Sequence, residues 1–341
     1  MRDKARLSRR ELMVRGATAM AGAGVATMIG GCEGIGPRES VAAKPAANGK
    51  KAWAIACRDA HLRETGAADS WAALKAIGAD GAEVFVMSEL RCEYLYADDE
   101  KFSIADAAAV GALGRRFKDN GLKITSFCLG TRYDQGKDKE IAFTLKVAEV
   151  AAVLGVPAVR IDVVPHEIKD ESKFIALAVD VGRHLIRETA GSGVRFGVEN
   201  HGRMTNKVEF LRKLLLEVGD SRFGVTLDTA NFYWFGYPLS RLYDFYFEFA
   251  PLACHTHAKS IRYPEDEREK QRQVGWEYGQ YCCPVYEGDI DFFRVARILR
   301  RRGFIGDLCI ENESLAKFPA DQRGQILRRE IDHLRKAAAS A

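Results

Sequence analysis

Four side chains that are costly to bury stand at the ends of successive apolar segments in the second half of the chain. They are Glu199, Asp228, His257 and Glu311. Three carboxylates that converged in a partly dry cavity would repel one another, and a divalent cation would remove that conflict. Oxygen ligands with a single imidazole suit Mn²⁺, Mg²⁺ or Co²⁺, and Zn²⁺ is a further candidate. Any one of these residues alone is more typical of an ion pair or a cap, but four in succession predict a site for one divalent metal ion.

A metal ion held in this way would favour proton transfer next to a carbonyl. It would bind the carbonyl and neighbouring hydroxyl of a sugar and stabilise the enediolate that forms when a proton leaves the adjacent carbon. We expect Glu199 and Glu311 to be the catalytic acid and base, on opposite sides of the substrate. The first hypothesis is therefore a sugar isomerase or epimerase. A lyase or dehydratase acting on a keto-sugar or keto-glycoside is the alternative, and a non-catalytic sugar-binding barrel is the second alternative.

A repeating pattern of short apolar segments and longer amphipathic segments must position these side chains. The predicted strands are Ala52–Cys57, Ala82–Met87, Lys123–Leu129, Ala158–Val163, Arg195–Glu199, Gly224–Asp228, Ala253–Ala258 and Asp307–Glu311. Seven predicted helices separate them, among them one over Lys139–Leu154, and an eighth follows near Ala320–Ala338. Strands that are apolar on both faces indicate a parallel sheet covered by helices.

Eight strand-helix units in one chain favour a (β/α)₈ TIM barrel, an α/β fold, over a doubly wound open sheet. An open nucleotide-binding sheet would carry a Gly-x-Gly-x-x-Gly loop after an early strand. The first strand is instead followed by Arg58-Asp59-Ala60-His61. In a barrel the four metal-ligand candidates would meet at one rim.

Two long connections lie on the side of the barrel where active sites are built. They cover residues 88–103 and 259–288, and both are rich in aromatic and charged residues. Arg262 in the second connection is a candidate for substrate binding. Trp234, in the aromatic run 232–235 after Asp228, is a candidate for stacking against a sugar. Contact with a second subunit in a homo-oligomer is an equally good interpretation of that run.

The ends of the predicted strands resemble a known family. The motifs are Val198-Glu199-Asn200-His201, Leu227-Asp228-Thr229-Ala230-Asn231, His255-Thr256-His257-Ala258-Lys259, Ile310-Glu311 and Gly288-Asp289-Ile290-Asp291-Phe292. Over residues 52–338 the sequence is similar to the xylose-isomerase-like barrels, which include sugar phosphate isomerase/epimerase-type proteins, ketose 3-epimerases, inosose dehydratases and endonuclease IV. The resemblance implies that Glu199, Asp228, His257 and Glu311 are the metal ligands.

The resemblance also implies that His201 and Lys259 contact either the metal ligands or the substrate. Asn231 marks a departure, because many relatives have His at this position, and Asn231 is therefore a further candidate for substrate binding. The additional histidines that endonuclease IV uses for a multi-metal cluster are not evident in the sequence. We expect a small-molecule sugar or sugar derivative as the ligand, and no nucleic acid.

The N-terminal segment predicts export. Residues 1–31 carry six basic and two acidic side chains, a net charge of +4, which equals the charge of the whole chain and leaves the remainder neutral. Arg9-Arg10 before a weakly apolar run resembles a twin-arginine signal. Ile29-Gly30-Gly31-Cys32 resembles a lipoprotein cleavage site, so Cys32 is a candidate for lipidation and a membrane tether. The predicted division is a signal over 1–31, a tether over 32–51 and the barrel over 52–341, with the protein in the periplasm or anchored facing it.

Overall fold

Eight parallel strands form a closed barrel. The structure is a computed structural model that describes residues 52–98 and 100–341. The strands, β1 to β8, are Ala54–Arg58, Gly81–Phe85, Lys123–Leu129, Ala158–Ile161, Arg195–Glu199, Phe223–Asp228, Ala253–Ala258 and Asp307–Ile310. Each pairs with its neighbours in the sequence, and β8 closes the barrel on β1. The predicted (β/α)₈ TIM barrel is thereby confirmed.

Eight helices cover the outside of the barrel. They are α1 to α8, with bounds Ser70–Ile77, Ala107–Asp119, Tyr133–Leu154, Glu171–Glu188, Val208–Val218, Leu239–Phe249, Phe292–Arg301 and Ala320–Ala339. Four of them begin after an aspartate whose side chain accepts a hydrogen bond from a backbone N–H of the first turn, which satisfies a group that the helix leaves unpaired. These caps are Asp69, Asp106, Asp170 and Asp291.

Helix α3 begins six residues before its predicted start. Its first turn contains Gly136, whose backbone is not helical and which interrupts the 3.6-residue pattern. The residue Asp134 in this turn accepts hydrogen bonds from three consecutive backbone N–H groups of residues 166–168, at 2.7 to 3.0 Å. Long-range contacts therefore stabilise a turn that the local sequence does not favour.

The connection 259–288 is folded against the mouth of the barrel. Two short segments, Ser260–Ile261 and Cys282–Cys283, pair as antiparallel strands, and Tyr278–Tyr281 forms one helical turn. Asp289 fixes this segment, because its Oδ2 accepts hydrogen bonds from the Tyr263 backbone N–H at 2.8 Å and the Tyr233 hydroxyl at 3.0 Å. Its Oδ1 lies 3.0 Å from Nε of Arg268.

The barrel shows no membrane-spanning element in its described part, since none of its helices there combines sufficient length with sufficient apolarity. The predicted signal over 1–31, the tether over 32–51 and the lipidation candidate Cys32 lie outside the described residues. They remain predictions.

Candidate active site

The four metal-ligand candidates meet at the carboxyl ends of four adjacent strands. Glu199 and Asp228 are the last residues of β5 and β6, His257 is the next-to-last residue of β7, and Glu311 follows β8 directly. The strand register places Asp228 beside His257 and His257 beside Cys309, two residues before Glu311. One ligand atom from each lies within 4.8 Å of the others, and all four residues are buried. We call these four residues the quartet.

The quartet is arranged around Nδ1 of His257. Oε1 of Glu199 and Oε2 of Glu311 each lie 3.3 Å from this nitrogen, and Oδ2 of Asp228 lies 4.0 Å from it. Nδ1 of His257 and Oδ2 of Asp228 are both buried, and neither makes a well-directed hydrogen bond with the described residues. Buried polar atoms without a well-directed hydrogen bond are rare and costly. Their presence among three carboxylates fits a divalent cation, for which the quartet supplies oxygen and imidazole ligands.

Each glutamate of the quartet is held by an arginine. Nε of Arg160 donates to Oε2 of Glu199 at 2.6 Å, and Nη2 of Arg160 contacts the same oxygen. Nη1 of Arg58 pairs with Oε1 of Glu311. In both glutamates one oxygen therefore faces an arginine and the other faces His257. Burial alone would raise the pKa of each glutamate, but the neighbouring cations outweigh it and hold both pKa values below the ordinary range.

Asp228 differs electrostatically from the two glutamates. Its Oδ1 accepts hydrogen bonds from the backbone N–H groups of Ala230 and Asn231, at 2.8 and 2.7 Å, which fixes the carboxylate in the turn after β6. Burial raises its pKa to about 7, with Glu311 and Glu199 adding to the rise and Lys259 opposing it.

A buried chain of polar side chains lies below the quartet in the barrel interior. Nε2 of His257 donates to Glu83 at 3.0 Å, Nε2 of His255 also donates to Glu83 at 3.0 Å, and Nδ1 of His255 contacts Asp307 at 2.6 Å. Burial alone would lower the pKa of His255, but Asp307 and Glu83 hold it well above its ordinary value. With Nε2 of His257 committed to Glu83, Nδ1 is the nitrogen that faces the quartet.

Lys259 places an ammonium group beside the quartet, in addition to the two arginine guanidinium groups. Its Nζ lies 3.1 Å from Oδ2 of Asp228, 2.9 Å from Oε2 of Glu311 and 3.1 Å from Oε1 of Glu313. The residue is 5% exposed. Burial alone would lower its pKa, but Asp228 and Glu311 hold the pKa well above the ordinary value, so Lys259 is an ammonium ion. The structure thus brings this substrate-binding candidate into direct contact with two predicted metal ligands.

The other substrate-binding candidates have different positions. Asn231 is buried, and its Nδ2 donates to Oε1 of Glu199 at 3.0 Å. His201 is about half exposed, and its Nδ1 pairs with Asp162 at 3.0 Å beside Glu199. Trp234 contacts the 259–288 segment, where its backbone carbonyl accepts from the N–H of Gly275 at 2.8 Å.

Arg262 is exposed, and its backbone N–H donates to the carbonyl of Tyr281 at 2.9 Å. Among the described contacts of the quartet, none involves the side chain of Arg262 or that of Trp234. The structure does not bring these two candidates into contact with the proposed metal ligands.

Arg160 and Glu83 are the functional residues that the sequence did not single out clearly. Arg160 is a charged residue within an otherwise apolar strand, which is a signal that such a side chain has a buried partner. Glu83 lies in β2, where it could line a pocket or form an internal ion pair; it contacts His257, His255 and Arg58. Strand periodicity places both side chains in the barrel but does not reveal their partners.

Comparison with known proteins defines the family. The family model described as a xylose isomerase-like TIM barrel matches residues 71–337. The chain belongs to this family. The family includes isomerases and epimerases, and the resemblance inferred from the strand-end motifs is confirmed. No curated protein matches the sequence.

Solved structures of this fold include metal-bound members. The IOLI protein with a zinc atom shares 19% identity, with a TM-score of 0.62, covering 83% of this chain and 98% of that one. A xylose isomerase-like TIM barrel protein from Mycobacterium smegmatis in complex with magnesium shares 15% identity, with a TM-score of 0.59 and coverages of 84% and 98%. The 3-keto-D-glucoside 4-epimerase from E. coli shares 15% identity, with a TM-score of 0.57 and coverages of 83% and 99%. At these identities the likeness establishes the fold.

Proposed function

We propose that this protein is a metal-dependent sugar epimerase or isomerase that transfers a proton next to a carbonyl. One observation carries the proposal: two buried glutamates at the ends of different strands each place an oxygen 3.3 Å from the same imidazole nitrogen, Nδ1 of His257. In the proposed site Glu199, Asp228, His257 and Glu311 hold one divalent ion. When bound, the ion would polarise the substrate carbonyl and stabilise negative charge on its oxygen.

Glu199 and Glu311 are the proposed acid and base. They approach the site from β5 and β8, so a substrate carbon between them would present different faces to the two carboxylates. Burial opposes ionisation, but neighbouring cations, chiefly Arg160 for Glu199 and Lys259 for Glu311, lower both pKa values and favour the ionised form that a proton acceptor requires. Asn231 donates a hydrogen bond at 3.0 Å to Oε1 of Glu199, the oxygen that faces His257. The position of Glu199 would therefore be fixed before the substrate arrives.

The proposed substrate is a keto-sugar or keto-glycoside. A site for proton transfer needs a carbonyl beside the reacting C–H, and a keto-sugar supplies it together with a hydroxyl that can bind the same ion. The fold neighbour named as a 3-keto-D-glucoside 4-epimerase supports this class of substrate. Export through a twin-arginine pathway, which we propose from the N-terminal segment, favours an unphosphorylated sugar, because sugar phosphates are mainly cytoplasmic.

The decisive experiment is a screen of ketoses, aldoses and 3-keto-glycosides with Mn²⁺, Mg²⁺, Co²⁺ or Zn²⁺. Products are identified by NMR, in H₂O and in D₂O. We expect an epimer or isomer to form only with metal, and solvent deuterium in the product would support the proton transfer. An unsaturated product would instead assign the protein as a lyase, because elimination begins with the same proton abstraction.

Substitution separates catalysis from metal binding. We expect Glu199→Gln or Glu311→Gln to lower kcat by about 10²-fold or more, with metal retained in at least one of the two. Glu188→Gln, a substitution on the exposed end of α4, is the matched control and should leave kcat unchanged. Unchanged turnover in both active-site variants would contradict the proposed roles. Metal binding without turnover of any sugar would favour a binding barrel.

A further inference from the structure

Lys259 places its ammonium group on the atoms that the proposed metal ion needs. Of its three carboxylate partners, Asp228 and Glu311 belong to the quartet. The contact to Asp228 involves Oδ2, the oxygen that lies 4.0 Å from Nδ1 of His257. Lys259 thus contributes positive charge at the very oxygens around His257 that would coordinate a cation.

Every carboxylate of the quartet already has a cationic side chain as a partner. Arg160 pairs with Glu199, Lys259 pairs with Asp228, and Glu311 pairs with both Arg58 and Lys259. Arg58 contacts Oε1 of Glu311, and Arg160 contacts Oε2 of Glu199. Neither arginine therefore competes for the glutamate oxygens that face His257. Lys259 does, because it contacts Oε2 of Glu311, the oxygen that faces His257.

A third carboxylate gives Lys259 a partner outside the quartet. Glu313 lies 3.1 Å from its Nζ, and the side chain of Glu313 is 44% exposed. The other oxygen of Glu313 accepts a hydrogen bond from the hydroxyl of Tyr278 at 2.5 Å, and Tyr278 belongs to the 259–288 segment. The ammonium group can therefore leave the two ligands without losing its last carboxylate.

We propose that Lys259 competes with the divalent ion for Asp228 and Glu311. Its ammonium group neutralises the two carboxylates until the ion binds them. The inference rests on the proposed function, in that it concerns the same metal site. Like charges in a poorly hydrated site repel strongly, so the ammonium group weakens metal binding and speeds metal release. Metal affinity is set in part by one lysine that is not itself a ligand.

The test is Mn²⁺ binding by isothermal titration calorimetry to the full chain, with and without the lysine. We expect Lys259→Met to bind Mn²⁺ at least tenfold more tightly than the unsubstituted protein, and Lys259→Arg not to bind more tightly. Lys317→Met is the matched control. Lys317 also lies at the mouth of the barrel, but its Nζ donates to the carbonyls of Gln280 and Cys282, so its loss should leave the affinity unchanged.

The outcomes distinguish this inference from the proposed function. Equal or weaker Mn²⁺ binding by Lys259→Met than by the unsubstituted protein overturns the inference and leaves the proposed function standing. If Lys259→Met binds Mn²⁺ and the unsubstituted protein does not, the inference is supported, but the unsubstituted protein cannot be the metal-dependent enzyme of the proposed function. Absence of binding in both overturns both.

A second measurement covers the case in which Lys259→Met does not fold without metal. The variant is then produced with Mn²⁺, and the rate of metal release to an excess of chelator is compared with that of the unsubstituted protein. Release at least tenfold slower supports the inference. Equal or faster release overturns it.

Discussion

Glu83 accepts a hydrogen bond from Nε2 of His257 in the barrel interior, at 3.0 Å. This contact determines which imidazole nitrogen faces the quartet, because a ring nitrogen that donates to a carboxylate cannot also coordinate a cation. His255 and Arg58 fix the orientation of Glu83 in turn, at 3.0 and 2.9 Å.

We therefore expect Glu83→Gln to weaken Mn²⁺ binding by about 10- to 100-fold, although Glu83 is not a proposed ligand. The measurement is the Mn²⁺ dissociation constant from calorimetry, with circular dichroism to verify the fold. The exposed residue Glu188 provides the control variant, Glu188→Gln. An unchanged dissociation constant for Glu83→Gln would show that Glu83 does not orient the imidazole.

Arg160 stabilises the barrel as well as the site. Its guanidinium group contacts Glu199, Asp162 and the carbonyl of Leu129, and the residue is 6% exposed. Removing one partner of a buried ion pair leaves an uncompensated charge, so we expect Arg160→Met to lower the free energy of unfolding by about 3–5 kcal/mol.

Chemical denaturation measures this loss. Arg160→Lys keeps the charge without the planar geometry and should lose less. Arg187→Met removes an exposed pair with Glu188 and should change the free energy by less than about 0.5 kcal/mol. A similar small change for Arg160→Met would be inconsistent with a buried charge left unpaired.

Asp59 should make stability depend on pH well above the usual carboxylate range. Burial raises its pKa to about 8, although the Phe85 backbone N–H donates to its Oδ2 at 3.0 Å. A raised pKa means that the folded state binds the proton more tightly than the unfolded state. Its contribution to stability is therefore complete below about pH 4 and is lost as the pH rises through about 8.

We expect the free energy of unfolding to fall by about 1 kcal/mol between pH 7 and 9 through Asp59 alone. Asp59→Asn, which imitates the protonated acid, should flatten this part of the profile, whereas Asp138→Asn on the surface of α3 should not. Urea denaturation at each pH provides the measurement. Identical slopes for the three proteins would exclude Asp59 as the titrating group.

Asp289 should hold the 259–288 segment in its folded conformation and protect it from proteolysis. Its contacts to Tyr263, Tyr233 and Arg268 join this segment to the barrel just before α7. Asp289→Asn loses the ion pair and replaces one accepting oxygen by a donor, so we expect trypsin to cut within residues 259–288 at least tenfold faster.

The matched control for this experiment is Asp291→Asn, two residues further on. Asp291 caps α7, and asparagine is an equally good capping residue, so the rate of cleavage should not change. Mass spectrometry of the fragments locates the cuts. Equal rates for both variants would mean that other contacts hold the segment in place.

The rim residues were predictable because parallel strands end at the same edge, and a strand that ends in Glu199 or Asp228 places that side chain at this edge. The alternation of strands and helices sufficed for this prediction. It did not suffice for Arg160 or Glu83, because Glu199 pairs with Arg160 from a different strand, and His255 and His257 bind Glu83 from a strand far away in the sequence. The early start of α3 was missed for the same reason, since Asp134 is satisfied by backbone groups of residues 166–168.

The polar chain from His257 through Glu83 and His255 to Asp307 closes the barrel interior on the inner side of the proposed catalytic centre. These side chains are almost completely buried and fill the barrel beneath the quartet. Because these side chains close the barrel on that side, a substrate of the proposed reaction would have to approach the quartet from the rim, where Lys259 pairs with Glu313.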